Sequence, residues 1–101
     1  MKKLITIPFL LINLIVAGTN YYVKNEGDDS LNGLNDTNAW KTIDKVNGFS
    51  FSPGDSILFK RGDTFIGKLV PQNSGTSDNY IVFAAYGTGD DPIITPNAVI
   101  P

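Results

Sequence analysis

Residues 57–67 read ILFKRGDTFIG, two apolar runs around a polar break. Ile57, Leu58 and Phe59 stand before a Gly-Asp pair, and Phe65, Ile66 and Leu69 follow it. Two short apolar runs broken by Gly-Asp predict two strands with a hairpin or a corner between them. The break spells Arg61-Gly62-Asp63, a tripeptide that suggests cell adhesion when it sits on an exposed finger. So short a motif matches often by chance, and its strand-like flanks favour a turn.

The same grammar extends on both sides. Upstream, Ser52-Pro53-Gly54-Asp55 is a turn into a strand, with Pro fixing φ and Gly supplying an unusual backbone angle. Downstream, NYIVFAAYG (79–87) and DPIITP (91–96) are two more runs rich in β-branched and aromatic residues, punctuated by Pro, Gly, Asp and Asn. Strand centres are expected near residues 58, 68, 83 and 94, roughly 10 to 15 apart, which fits either a sandwich or a solenoid. Tyr21-Tyr22-Val23 predicts a further strand, followed by a loop of Gly, Asp, Asn and Ser. Next, Asp36, Thr37 or Asn38 can cap a short helix over about residues 38–47. Its apolar side would carry Trp40, Ile43 and Val46, and Gly48 would lie just past its end.

The chain has 101 residues, enough for one small domain. Met1-Lys2-Lys3 followed by an almost continuous apolar run from Leu4 to Ala17 has the layout of a secretory signal peptide, with cleavage expected after Gly18. The run is shorter than the roughly 20 residues of a spanning helix, so no stable membrane span is expected once the signal is removed. Without Lys2 and Lys3 the charge is 6 − 10 = −4, against −2 for the whole chain, which disfavours a nucleic-acid partner. No cysteine is present, so an exported domain of residues 19–101 must hold together by packing alone. About eighty residues is near the size at which a core by itself is marginal. The stretch 92–101, PIITPNAVIP, offers no polar cap for a sheet edge, so the chain is expected to be the beginning of a longer protein.

Taken in order, Tyr21-Tyr22-Val23, the acidic Gly/Asn loop, Ala39-Trp40-Lys41-Thr42-Ile43, Pro53-Gly54-Asp55, Phe59 to Phe65 and Tyr86-Gly87 resemble the N-terminal portion of secreted right-handed parallel β-helix proteins. That group contains polysaccharide lyases and related carbohydrate-active enzymes. The resemblance covers nearly all of residues 19–101. It implies an all-β fold with one short capping helix: the N-terminal cap and first coils of a parallel β-helix, incomplete in this chain. It also implies that the helix around Trp40 closes the open end of the solenoid, and that Arg61-Gly62-Asp63 lies at a corner, with Asp63 bonding local backbone amides. The scaffold hosts many functions, so it implies an activity far less than a fold.

With neither histidine nor cysteine, the chain holds no Ser-His-Asp triad, no His-ligated zinc and no thiol nucleophile. Lyases of the resembled group pair calcium carboxylate sites with a Lys or Arg base on central coils, so calcium belongs to a full-length protein and no cofactor is expected in this chain. Asp28, Asn32 and Asp36, with Ser30 and Gly33, echo the start of a calcium loop and are the metal candidates. The twelfth position from Asp28 is Ala39 where such a loop needs a bidentate Glu, which favours a solvated turn. Asp90-Asp91 would point to opposite faces of a strand and reads as turn chemistry. Lys60, Arg61 and Lys68 could meet an acidic polysaccharide, although exposed charges usually only solvate a face. Trp40 is assigned to packing. Tyr21 and Tyr22 could stack on sugar or pack, and Tyr86 beside Gly87 stays open between the two.

The expected function is therefore that of an N-terminal fragment, without a catalytic residue of its own, of a secreted, periplasmic or cell-surface protein that binds or cleaves polysaccharide, lyase-like at full length. A non-catalytic β-helix adhesin or surface structural protein is the alternative. A self-contained β-sandwich carbohydrate-binding module is a third reading, opposed by the unprotected apolar C-terminus.

Overall fold

A computed structural model describes residues 18–97. The expected signal segment, Gly18 apart, and the last four residues lie outside them. Five strands and one helix follow in the order β1 (Asn20–Val23), α1 (Ile43–Gly48), β2 (Ser56–Lys60), β3 (Thr64–Ile66), β4 (Val82–Tyr86) and β5 (Ile93–Thr95). Every pairing of these strands is parallel. One sheet has the order β1-β2-β4, and a second pairs β3 with β5. The strands flanking Arg61-Gly62-Asp63 thus belong to different sheets, so that tripeptide is a corner and not a hairpin.

The alternation within each strand explains the layering. Tyr21 and Val23, Ile57 and Phe59, and Phe83 and Ala85 occupy matching registers, and Val23, Ile57 and Phe59 are fully buried. With a side-chain period of two, Tyr22, Leu58, Lys60, Ala84 and Tyr86 take the other face. Phe65 of β3 meets Phe59 at 5.2 Å edge to face, which ties the second sheet to the same core. Trp40, Ile43, Val46 and Phe51 complete that core.

The helix is shorter and later than expected over 38–47, and Trp40 is not on it. Trp40 lies in extended backbone beside β1: its amide donates to the Tyr22 carbonyl, and its carbonyl accepts from the Lys24 amide, at 2.8 and 2.9 Å. Those bonds claim the backbone that a helix would have used. Thr42, rather than Asp36, Thr37 or Asn38, is the N-cap, its Oγ1 accepting from the Lys45 amide at 3.1 Å. Gly48 is the last helical residue, with Phe49 as C-cap. The strand expected near residue 68 is centred at Phe65, because the Lys68 carbonyl and the Val70 amide are both taken by the Asn47 side chain, at 2.8 and 2.7 Å.

The outer edge of β1 is covered by this loop segment, since the Tyr22 amide also donates to the Gly33 carbonyl at 2.8 Å. Tyr21 stacks on Trp40 with ring centres 5.1 Å apart, and Phe49 and Phe51 close the cluster. The opposite side of each sheet is bare: among the described residues β4 pairs only with β2, and β5 only with β3. Val82, Ile93 and Ile94 are exposed there.

Candidate functional site

A set of titratable groups sits where the chain leaves the first sheet, at three stacked corners. Residues 60–64 and 86–90 lie against one another through backbone bonds, the Arg61 amide donating to the Tyr86 carbonyl (2.9 Å) and the Gly62 amide to the Asp90 carbonyl (2.8 Å), and residues 24–25 join them through the Asp63 and Asn25 side chains. Gly62 has φ +87°, the left-handed region that lets the corner turn. Asp63 does not bond local amides as expected. Its Oδ2 accepts from the Asn25 amide at 2.9 Å, and the Asn25 side chain donates to the Thr64 carbonyl at 3.1 Å. A one-residue signal thus spans two corners distant in sequence.

Asp36 projects from the 24–42 loop into this stack. Its Oδ1 accepts from the Tyr86 hydroxyl at 2.8 Å, and its Oδ2 meets the Lys24 ammonium at 3.3 Å. Tyr22 packs edge to face on Tyr86 with centres 5.0 Å apart. The Tyr86 bond is the main reason the Asp36 carboxyl is held below its ordinary range, with Lys24 and Lys60 adding to it. Partial burial, followed by the Asp36 carboxylate, pushes the Tyr86 phenol well above its ordinary value. The pair therefore stays as phenol and carboxylate at neutral pH. Through its bonds to Tyr86 and Lys24, Asp36 forms a latch between loop and sheet.

Asp28 and Asn32, the other two metal candidates, turn elsewhere. Asp28 accepts from the Ser30 amide and hydroxyl, bonds that lower its carboxyl, and Asn32 accepts from the Leu34 amide at 2.9 Å. Among the described residues no group of three acidic side chains converges as a metal cage would require. Of the expected cations, Arg61 pairs with Asp91, which leaves Asp90-Asp91 as turn and ion-pair residues. Lys60 stays beside Tyr86 in register, and Lys68 is exposed.

Sequence reasoning missed Asp29. Its Oδ1 accepts from the Lys41 and Thr42 amides at 2.7 and 3.0 Å, and its Oδ2 accepts from the Thr42 hydroxyl at 2.6 Å. Burial works to raise this carboxyl, but the three bonds outweigh it and the net shift is downward. Beside this anchor, between the start of α1 and β3, lies a cleft of about 190 Å³ floored by Ile43, Phe65 and Ile66 and rimmed by Asn25, Lys41, Thr42 and Thr64.

No protein-family model matches the chain. It is similar to a lacto-N-biosidase of Bifidobacterium longum subsp. longum, with 36% identity over 90 residues, covering 82% of this chain and 6% of that protein. Among solved structures it is similar to the GH136 lacto-N-biosidase from Eubacterium ramulus. The selenomethionine derivative superposes with a TM-score of 0.64 at 35% identity over 71% of this chain, and the native protein with 0.61 at 32% over 70%. In both cases 12% of the solved chain is covered, so this chain spans a small part of the relatives it matches. No helix of the described residues is long and apolar enough to cross a membrane.

Proposed function

We propose that this chain is the N-terminal cap and first coils of an exported parallel β-helix protein that binds or cleaves carbohydrate, with residues 1–18 as its export signal. One observation carries the fold reading. Strands β2 to β5 fall alternately into two sheets, every pair is parallel, and their corners stack on one another. That is how a chain winds when each turn lays one strand on each sheet. The covered edge at β1 and the bare edges at β4 and β5 give the winding a closed end and an open one.

The similarity to lacto-N-biosidases supports a carbohydrate as ligand or substrate, and favours glycoside hydrolysis over the elimination chemistry of lyases. The Asp28, Asp29 and Asp36 carboxylates are each engaged by donors of their own loop, the helix start or β4, which suits a structural role in the described segment. In this reading the reacting groups belong to further coils. A direct test incubates the protein, expressed from its natural gene, separately with a lacto-N-biose-terminated oligosaccharide and with polygalacturonate. Release of a saturated disaccharide supports the hydrolase reading. An unsaturated, ultraviolet-absorbing product would replace it with a lyase, and neither cleavage nor retention of either glycan would overturn carbohydrate as the ligand.

A further inference from the structure

The cleft between α1 and β3 is not used by the latch at Asp36. We propose that it is a subsite for a single pyranose ring of an oligosaccharide, an inference that rests on the carbohydrate reading above. Size sets the first limit. At about 190 Å³ the cleft holds the volume of roughly six waters, below the ~300 Å³ at which pockets for larger ligands begin. That volume is on the order of one sugar ring.

Chemistry sets the second. Ile43 and Phe65 are buried beneath the cleft, while Ile66 is 51% exposed and forms an apolar wall for the C–H face of a sugar. The rim divides into spent and unspent polar atoms. The Thr42 hydroxyl is committed to Asp29 and Lys45, and the Asn25 amide nitrogen to the Thr64 carbonyl. The Asn25 Oδ1, the Thr64 hydroxyl and the Lys41 ammonium make no hydrogen bond among the described residues, and Lys41 lies within electrostatic reach of Asp28. They supply one acceptor, one group of either sense and one donor, the complement a ring of neutral hydroxyls requires. Lys41 is a lone cation on this rim, which offers no paired charge for a dianionic ligand.

The backbone of the rim is also held in place. Asn25 is held at its amide by Asp63 and at its side chain by Thr64, and the segment carrying Lys41 is pinned by Asp29. A preformed rim loses less entropy when a weak ligand binds.

The experiment is a titration of the full chain with methyl β-D-galactopyranoside, followed by amide ¹H–¹⁵N shifts. Saturable shifts are expected at Asn25, Lys41, Thr64 and Ile66, with a dissociation constant in the millimolar range. Thr64→Val and Ile66→Ser, both at positions that keep the fold, should each weaken binding about fivefold. Tyr22→Phe, outside the cleft, should not. Saturable shifts confined to another surface would overturn the cleft while leaving the carbohydrate reading in place. An absence of saturable shifts would overturn it as well, and the hydrolysis assay judges the wider reading independently.

Discussion

At the scale of single residues, the fold rests on a few positions whose alternatives are physically excluded. Gly33 has φ +75°, and a Cβ there would lie 2.6 Å from Cε2 of Trp40. Gly33→Ala should therefore cost at least about 2 kcal/mol, combining left-handed strain with displacement of the indole. Trp40 is the sole tryptophan, so its fluorescence in a denaturant titration reports the loss directly. Asp55 is buried, and its two oxygens accept from the Thr19 and Ser52 amides at 2.9 and 2.8 Å. Asp55→Ala orphans both donors, and a loss of about 1–3 kcal/mol at unchanged denaturant slope is expected. Both effects were half legible in sequence. Pro53-Gly54-Asp55 reads as a turn from composition, whereas Asp55 reaching back to Thr19 depends on a parallel register that no local pattern encodes.

At the scale of elements, the polar loop between β1 and α1 is fastened by carboxylates at two points, Asp29 on the helix start and Asp36 on β4. Both carboxyls are lowered in the folded state. A group whose folded value lies below its unfolded value of about 3.9 contributes stability above that value and loses it as pH falls through the folded one. Stability should hence be flat near neutrality and fall in acid. Tyr86→Phe removes the leading cause of the Asp36 shift, so it should lower stability near neutral pH and make the acid limb shallower. Comparing denaturation midpoints of both proteins at about pH 6 and pH 3 measures this, and parallel acid limbs would refute the latch. Thr42→Ala loses the N-cap and a partner of Asp29, at a cost of about 1–2 kcal/mol that helix circular dichroism and thermal unfolding would show. The helix itself was legible from its Ile43 and Val46 spacing. Its start was not, because Trp40 also satisfied helical spacing, and only the tertiary demand of β1 for its backbone decided against it.

At the scale of the whole molecule, the alternation of apolar residues around Arg61-Gly62-Asp63 placed β2, but it set the following strand near residue 68 instead of at Thr64–Ile66 and left hairpin and corner undivided. Spacing alone left sandwich and solenoid undivided, since both use strands of similar length, and the parallel strand direction was legible only from the pairing. The parallel order has a consequence for solution behaviour. Parallel sheets are ordinarily covered, and an edge strand lacking charge, proline or a covering loop is a template for pairing. β1 has such a cover and β4 has none among the described residues, with Val82 42% and Ile93 56% exposed at that side. The chain on its own should therefore associate with rising concentration, through the unpaired edges of β4 and β5. Val82→Lys and Ile93→Lys place charge on those edges without touching the buried set, and should return the protein toward monomer in sedimentation velocity. Association unchanged by both substitutions would show that the bare edges are not where copies meet, and the open end of the winding would lose its physical support.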